Sequence, residues 1–421
     1  MDEETTAEKG IIEERRIKKG SYLILGCFFV AHGIFHFMSH SFSVMLPAVK
    51  NTFVINPIQV GAIITAKELS AGLAALPGGV MSDYLRRHRA LLMSICMIVF
   101  SIGWLVIGLS PFYKFLVLGM VIIAVAGSIW HLPSLAELGL LFAHNRGVAL
   151  AIHGAGGSIG DILGPVITGL LLSAMSWRNI ISLYAVVPLG TAFWVYWALL
   201  RLGNKKFDEK ESGPEKKIDL RTQLIIARKI LKRTHIWRVN LVAGFRGMCF
   251  VVLVNFLPLF MKEELGHSSK YIGFHFGLLW TVGIIASPMM GHLSDLWGRK
   301  PVLVPALLYS SLLIILLSFA GKGALFTVMI ALLGISIRSD YSLVSATILD
   351  IAGNQVVTTM LGILSLTRFS MGAVSPLIAG ALYQYAGMQA TLFYVAALFV
   401  ASAIIFSFVD LNLKAPVEPE A

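Results

Sequence analysis

The sequence predicts an all-α integral membrane protein of twelve transmembrane helices in two similar six-helix bundles. Three observations predict it. Of the 421 residues, 57% are hydrophobic and only 14% charged, and the mean hydropathy is +0.79. A soluble domain usually has about 45–50% apolar and about 25% charged residues. Apolar stretches recur at the ~20-residue length that a ~30 Å hydrocarbon core requires. Finally, landmarks of the first half return 211 or 212 positions later in the second.

The twelve expected spans cover 22–49, 57–82, 90–110, 113–142, 146–175 and 177–200, then 238–261, 271–296, 301–320, 323–351, 355–386 and 388–411. The charged stretch before residue 22 leads into a long apolar run with no A-x-A cleavage site, so the first span reads as uncleaved. Residues 1–21 are expected as a cytosolic N-tail and 22–200 as the N-terminal bundle. Residues 201–237 are a cytosolic linker, 238–411 the C-terminal bundle and 412–421 a cytosolic C-tail. Within the linker, Leu220, Leu224, Ala227 and Leu231 recur at helical spacing among Arg221, Arg228, Lys229, Lys232 and Arg233. They read as a basic amphipathic helix, either lying on the inner leaflet or solvated.

The net charge of +11 follows topology. With both termini cytosolic, only Lys50, Lys114, Arg178, Lys262, Lys270 and Lys322 of the 34 basic residues fall outside, and four more lie within spans. That asymmetry obeys the positive-inside rule, so nucleic acid needs no place in the reading. Cys27, Cys96 and Cys249 lie far apart in apolar segments, which supports neither a disulfide framework nor a metal knuckle.

The repeat is read from four landmarks: Pro47 with Pro258, Val60-Gly61 with Ile272-Gly273, Asp83 with Asp295, and Pro165-x3-Gly169 with Pro376-x3-Gly380. Two six-helix halves of the same orientation form a parallel repeat about an axis along the membrane normal, as in secondary transporters.

Charged residues inside a span cost roughly 2.5–3.5 kcal/mol each, so each is a functional candidate. Arg338, Arg368, Lys67 and Arg246 are candidate anion-binding groups, with salt bridges to acids as the alternative. Asp161, Asp340 and Glu68 are candidate proton carriers or partners of those cations. His32, His36 and His40 recur at i, i+4, i+8 along the first span. They form a stripe that either titrates in a cavity, with His36 also a substrate contact, or packs. His131, His153 and His275 are weaker candidates of the same kind. No metal site is expected, because two histidines on one helix are too few ligands. No ATP-binding G-x4-G-K-[ST] motif occurs, and no nucleophile–base pair supports an enzyme. No cofactor is expected.

Gly291-His-Leu-Ser-Asp295-Leu-Trp-Gly298-Arg299-Lys300 joins the eighth and ninth spans. It resembles the G-x-x-x-D-x-x-G-R-K signature of the major facilitator superfamily. The first-half copy, Gly79-Val-Met-Ser-Asp83-Tyr-Leu-Arg86-Arg87, has arginine in place of the second glycine. The resemblance implies a gating role for Gly79, Asp83, Arg87, Gly291, Asp295, Gly298 and Arg299. Asp83 would face the start of the eleventh span and Asp295 the start of the fifth, and the two glycines would admit a close helix neighbour. A narrower stretch is similar to the fosmidomycin-resistance branch. It comprises Ser128-Ile-Trp-His131-Leu-Pro133, Asn145-Arg146-Gly147 and the glycine-rich run Gly154 to Pro165. That branch implies drug export in exchange for protons. The arginine often found in the fourth span of the family is absent, since Tyr113–Trp130 holds only Lys114.

The expected function is alternating-access secondary transport: proton-coupled export of a small organic anion or drug, by a monomer in the plasma membrane. An importer of a carboxylate nutrient and a non-transporting membrane sensor are the alternatives.

Overall fold

The computed structural model describes residues 3–85, 88–142, 145–202, 232–352 and 357–411, and among them there are helices and no strands. In order these are α1 (Glu3–Phe53), α2 (Pro57–Tyr84), α3 (Arg89–Gly108), α4 (Tyr113–Leu141), α5 (Arg146–Leu171) and α6 (Trp177–Leu202). Then come α7 (Thr234–Leu259), α8 (Ser269–Trp297), α9 (Arg299–Phe319), α10 (Ala324–Ile337), α11 (Ser339–Ala352) and α12 (Val357–Ser407). A π-helical turn, Phe260–Glu264, extends α7. The amphipathic helix expected in the linker and the C-tail from residue 412 fall outside the described residues. Helix α1 already starts at Glu3, well inside the stretch expected as a tail.

Elements and spans do not correspond one to one. Arg338 ends α10, so the tenth span is built from α10 and α11. Helix α12 holds both the eleventh and twelfth spans. Its backbone leaves the helical region at Gly387, where φ is 84°, a value that favours glycine. The chain folds back there. The Thr391 hydroxyl donates to the Ala379 carbonyl at 3.1 Å, and the Ser375 and Tyr394 hydroxyls lie 3.0 Å apart. Residues 12 apart in a straight helix would be separated by about 18 Å. Helix α2 bends by 40° beside Pro77, where the ring removes a backbone donor.

The helices pack as two compact units. The first takes the described parts of Met1–Ser41, Ser70–Gly164 and Ala174–Gly213. Here α5 lies close against α1. A Cβ at Gly156, Gly160 or Gly164 would fall on the carbonyl of Phe29, Gly33 or Phe37 respectively. Both series advance by four residues in the same sense, so the two helices run parallel. The stripe of small residues read from the sequence is therefore a packing surface. Helices α3 and α6 run antiparallel, tied by Ser94 to the Ala192 carbonyl (3.0 Å) and Ser101 to the Ala185 carbonyl (2.5 Å). Leu91, Ile95, Ile98 and Ile102 stand exposed along one face of α3, as a lipid-facing surface requires.

The second unit takes the described parts of Phe42–Leu69, Pro165–Ser173 and Pro214–Ala421. The packing units thus differ from the sequence halves. The ends of α1, α2 and α5 farthest from the Asp83 loop pack with the C-terminal helices. The cause is the repeated Gly and Pro landmarks. A Cβ at Gly61 would fall on the Pro376 carbonyl, and one at its repeat partner Gly273 on the Pro165 carbonyl. Likewise Gly380 meets Pro57, and Gly169 meets Ser269 and Gly273. The same close contact is made twice, once in each direction of the repeat.

Candidate functional site

Close α1–α5 packing brings the histidine stripe onto the fifth span. Asp161 is 2% exposed. Its Oδ1 accepts from His36 Nδ1 at 2.6 Å and lies 3.1 Å from His40 Nε2. The partners of Asp161 therefore include a pair of imidazoles. His36 is the more open of the two, with its side chain 34% exposed against 11% for His40. Gly157 makes room for His32, whose ring a Cβ there would meet at 2.7 Å. His32 Nδ1 donates to the His153 carbonyl at 2.8 Å. Its ring stacks on the His153 ring, centroids 4.1 Å apart, and meets the His131 and His36 rings edge-on at 5.1 and 4.5 Å. Five histidines and one carboxylate from α1, α4 and α5 thus form one polar cluster within apolar helices.

In the second unit the cations and acids separate into different environments. Arg246 and Asp340 are buried, at 3% and 0% exposure. Arg246 Nε lies 2.8 Å from the carboxylate, and the guanidinium stands over the Phe399 ring at 4.2 Å. The pair is close, but neither Nε–H nor Nη1 makes an aligned hydrogen bond. The sequence left Arg246 open between ligand and ion pair, and it forms the ion pair. Lys67 and Glu68 bond each other at 3.3 Å. Arg368 has no carboxylate partner among the described residues. It stands over the rings of Tyr341 (4.3 Å), Phe250 and Phe369 (both 5.5 Å). A guanidinium stacked on aromatic faces keeps its in-plane donors for an anion. Arg338 lies at the junction of α10 and α11, where Gly283 and Gly334 bring α8 close. His275 is placed in this unit, bonded to the Tyr271 carbonyl and Thr327 at 2.8 Å each.

The loops after α2 and α8 are built alike. Arg89 reaches Asp83 (3.4 Å) and buried Glu137 (3.1 Å). Arg299 reaches Asp295 (2.5 Å), Asp350 (2.8 Å) and the Ser294 hydroxyl (2.9 Å). Glu137 and Asp350, 213 positions apart, play the same part in the two loops. Arg89 was missed as a partner. Arg86, Arg87 and 353–356 at the start of the eleventh span lie outside the described residues. Asp83 and Asp295 are 85% and 64% exposed. One expectation is corrected here. Gly291 has open space around it and Gly79 only an ordinary contact, while the tight approach is at Gly78, where an added Cβ would lie 2.9 Å from Ile129 Cγ1. Gly298 has φ 92°, so the turn there favours glycine.

At the opposite ends of the helices, Lys50 of α1 bonds both carboxylate oxygens of Glu263 at 2.8 Å. Tyr383 donates to the same carboxylate. The π turn aims Glu263 at both. Sequence reading had left Lys50 as an outer-loop charge.

The family model for the Major Facilitator Superfamily matches residues 28–287 and 246–420. The MFS-type transporter YfnC of Bacillus subtilis (strain 168) is 23% identical over 381 residues, which is 89% of this chain and 90% of that protein. The multidrug resistance protein MdtG of Proteus mirabilis (strain HI4320) is 31% identical over 194 residues. That match spans 43% of this chain and 47% of MdtG. Among solved structures, a bacterial homolog of the human lysosomal transporter Spinster, inward-facing and unoccupied, superposes with a TM-score of 0.74. Identity is 15%, with 93% of this chain and 95% of that one covered. A D-xylose–proton symporter also superposes at 0.74, with 14% identity over 94% and 99%. With its paired helix bundles, its repeated ion-paired loops and the family model matching both halves, this chain belongs to the major facilitator superfamily, as a multi-pass membrane transporter.

Proposed function

We propose that the chain exports a small organic anion or drug in exchange for protons by alternating access. It does so in the plasma membrane with both termini cytosolic. The observation that carries the proton role is Asp161 held between His36 and His40 inside a span. An ionisable residue there costs roughly 2.5–3.5 kcal/mol and is kept for a use. A carboxylate bonded to imidazoles can pass a proton through those bonds, so the cluster can take up one proton and release it when its surroundings change. His36, the more open ring, is the entry point and Asp161 the acceptor that holds the charge. His32 extends the path. Asp340 and Glu68, each beside a cation, are less suited to the role.

Anion preference is supported by Arg368, whose guanidinium stands among aromatic rings with no acid paired to it among the described residues, with Arg338 as second contact. Lys67 and Arg246, both paired, contribute to the field but are weaker ligand candidates. Export of a drug is supported by the similarity to MdtG, a multidrug resistance protein. The paired loops supply the gate. In the alternate state Asp83 and Asp295 close against helix ends, each stabilised by about 0.3–1 kcal/mol from the helix dipole.

The test is a mass-spectrometric substrate screen in everted vesicles with an imposed pH gradient. Asp161→Asn should leave the protein inserted and abolish gradient-driven accumulation. Accumulation that still follows the gradient in this variant would remove Asp161 from the coupling.

A further inference from the structure

We propose that His32, His36 and His131 form a site for one divalent transition-metal ion of the zinc and cobalt type. One ring nitrogen from each of the three lies within 4.8 Å of the others. His32 and His36 are one turn apart on α1, and His131 faces them from α4.

The orientation of each ring supports ligation. In all three, Nδ1 is held by an oxygen: the His153 carbonyl at 2.8 Å, Asp161 Oδ1 at 2.6 Å and the Gly127 carbonyl at 2.6 Å. A carbonyl or carboxylate only accepts, so Nδ1 carries the hydrogen, and the neutral ring keeps its lone pair on Nε2. Metal-binding histidines are oriented in this way, with the second nitrogen donating to a carboxylate or backbone oxygen. The arrangement is built three times in one cluster, once with a buried carboxylate.

His153, 2% exposed, stacks parallel on His32 with ring centroids 4.1 Å apart and so fixes the plane of that ring. Around a tetrahedral ion at 2.0–2.1 Å, nitrogens sit about 3.4 Å apart. The separations in the cluster, none above 4.8 Å, leave at most about 1.4 Å per pair for side-chain rotation to close. Three imidazoles without a carboxylate select borderline ions over magnesium or calcium, which take oxygen ligands.

His36 also belongs to the neighbouring group with His40 and Asp161. A metal on its Nε2 and a proton on the same nitrogen exclude each other. The ion would therefore block proton uptake, a consequence that rests on the proton role proposed above. Binding itself does not.

The test uses the full chain, purified without a histidine tag in detergent and titrated with Co²⁺. The expected result is one Co²⁺ per chain with the intense visible bands of a tetrahedral site. His131→Gln should weaken binding by roughly tenfold or more, whereas His275→Gln should leave it unchanged. His131→Cys should restore binding and add a sulfur-to-cobalt charge-transfer band. The proposal is overturned by the absence of saturable uptake in the wild type, or by identical spectra in wild type and His131→Gln. It is equally overturned if the cysteine variant binds no better than the glutamine one. None of these readouts depends on transport, so failure of the proton role alone leaves a metal signal intact.

Discussion

Two arginines within the second unit show how surroundings decide a role. Arg246 is 3% exposed and lies 2.8 Å from a carboxylate. Removing one partner of such a buried pair leaves a charge stranded, at a cost of about 3–5 kcal/mol. Its first duty is therefore to Asp340. Arg368 is half-buried and stands over Tyr341, Phe250 and Phe369 with no acid as partner among the described residues. Its charge is balanced by ring faces, and a bound anion would balance it better. A hydrogen bond to a charged group contributes about 1.5–3 kcal/mol. Arg368→Gln should thus weaken binding of an anionic substrate roughly tenfold or more. Arg368→Lys should recover only part of the loss, because lysine keeps the charge without the planar fork. Equilibrium binding on purified protein checks both. Equal affinity in all three forms would make Arg368 a packing residue. The sequence shows both arginines within spans and cannot separate them, since the distinction lies in which side chains of other helices meet each one.

Helices here are aimed by small departures from regularity. The π turn at Phe260–Glu264 ends α7 and directs Glu263 at Lys50 of α1 and Tyr383 of α12. The side chains of Lys50 and Glu263 are 17% and 19% exposed, so the pair is shielded more than a surface ion pair and should be worth more than the usual 0–1 kcal/mol. It ties three helices together at the ends far from the Asp83 and Asp295 loops. Glu263→Gln keeps the shape and removes the charge. Thiol reagents should then reach a cysteine introduced at Ser43, buried near Asn255, several-fold faster than in the Glu263 parent carrying the same cysteine. Unchanged reactivity would mean the ion pair does not hold this end shut. The glycine stripe of α5 was legible in the sequence, because spacing of four on one helix is visible there. So was the break at Gly387, which falls between two expected spans. The π turn and the division of the tenth span at Arg338 were not, since neither interrupts the apolar pattern. The convergence of His131 and His153 on the α1 stripe was hidden for another reason: it depends on how α4 and α5 are placed against α1.

Across the whole molecule, topology follows from arithmetic that one helix can test. Helix α9, Arg299–Phe319, has 21 residues. At 1.5 Å per residue it is about 31 Å long, the thickness of the hydrocarbon core. Lys300, in its first turn, and Lys322, just beyond its end, would therefore stand on opposite sides of the membrane. In the proposed topology Lys300 belongs to the basic, cytosolic set and Lys322 to the sparse outer set. The repeat strengthens the assignment, because six spans per half return the chain to the same side before the second half begins. Background labelling should be low, since Cys27, Cys96 and Cys249 are all buried. A cysteine at position 322 should react in intact cells with a thiol reagent that cannot cross the membrane. One at position 300 should react only after the membrane is opened. The reverse pattern would invert the chain, placing both termini outside and turning proposed export into uptake. Equal labelling at both positions in intact cells would mean that α9 does not cross the membrane at all.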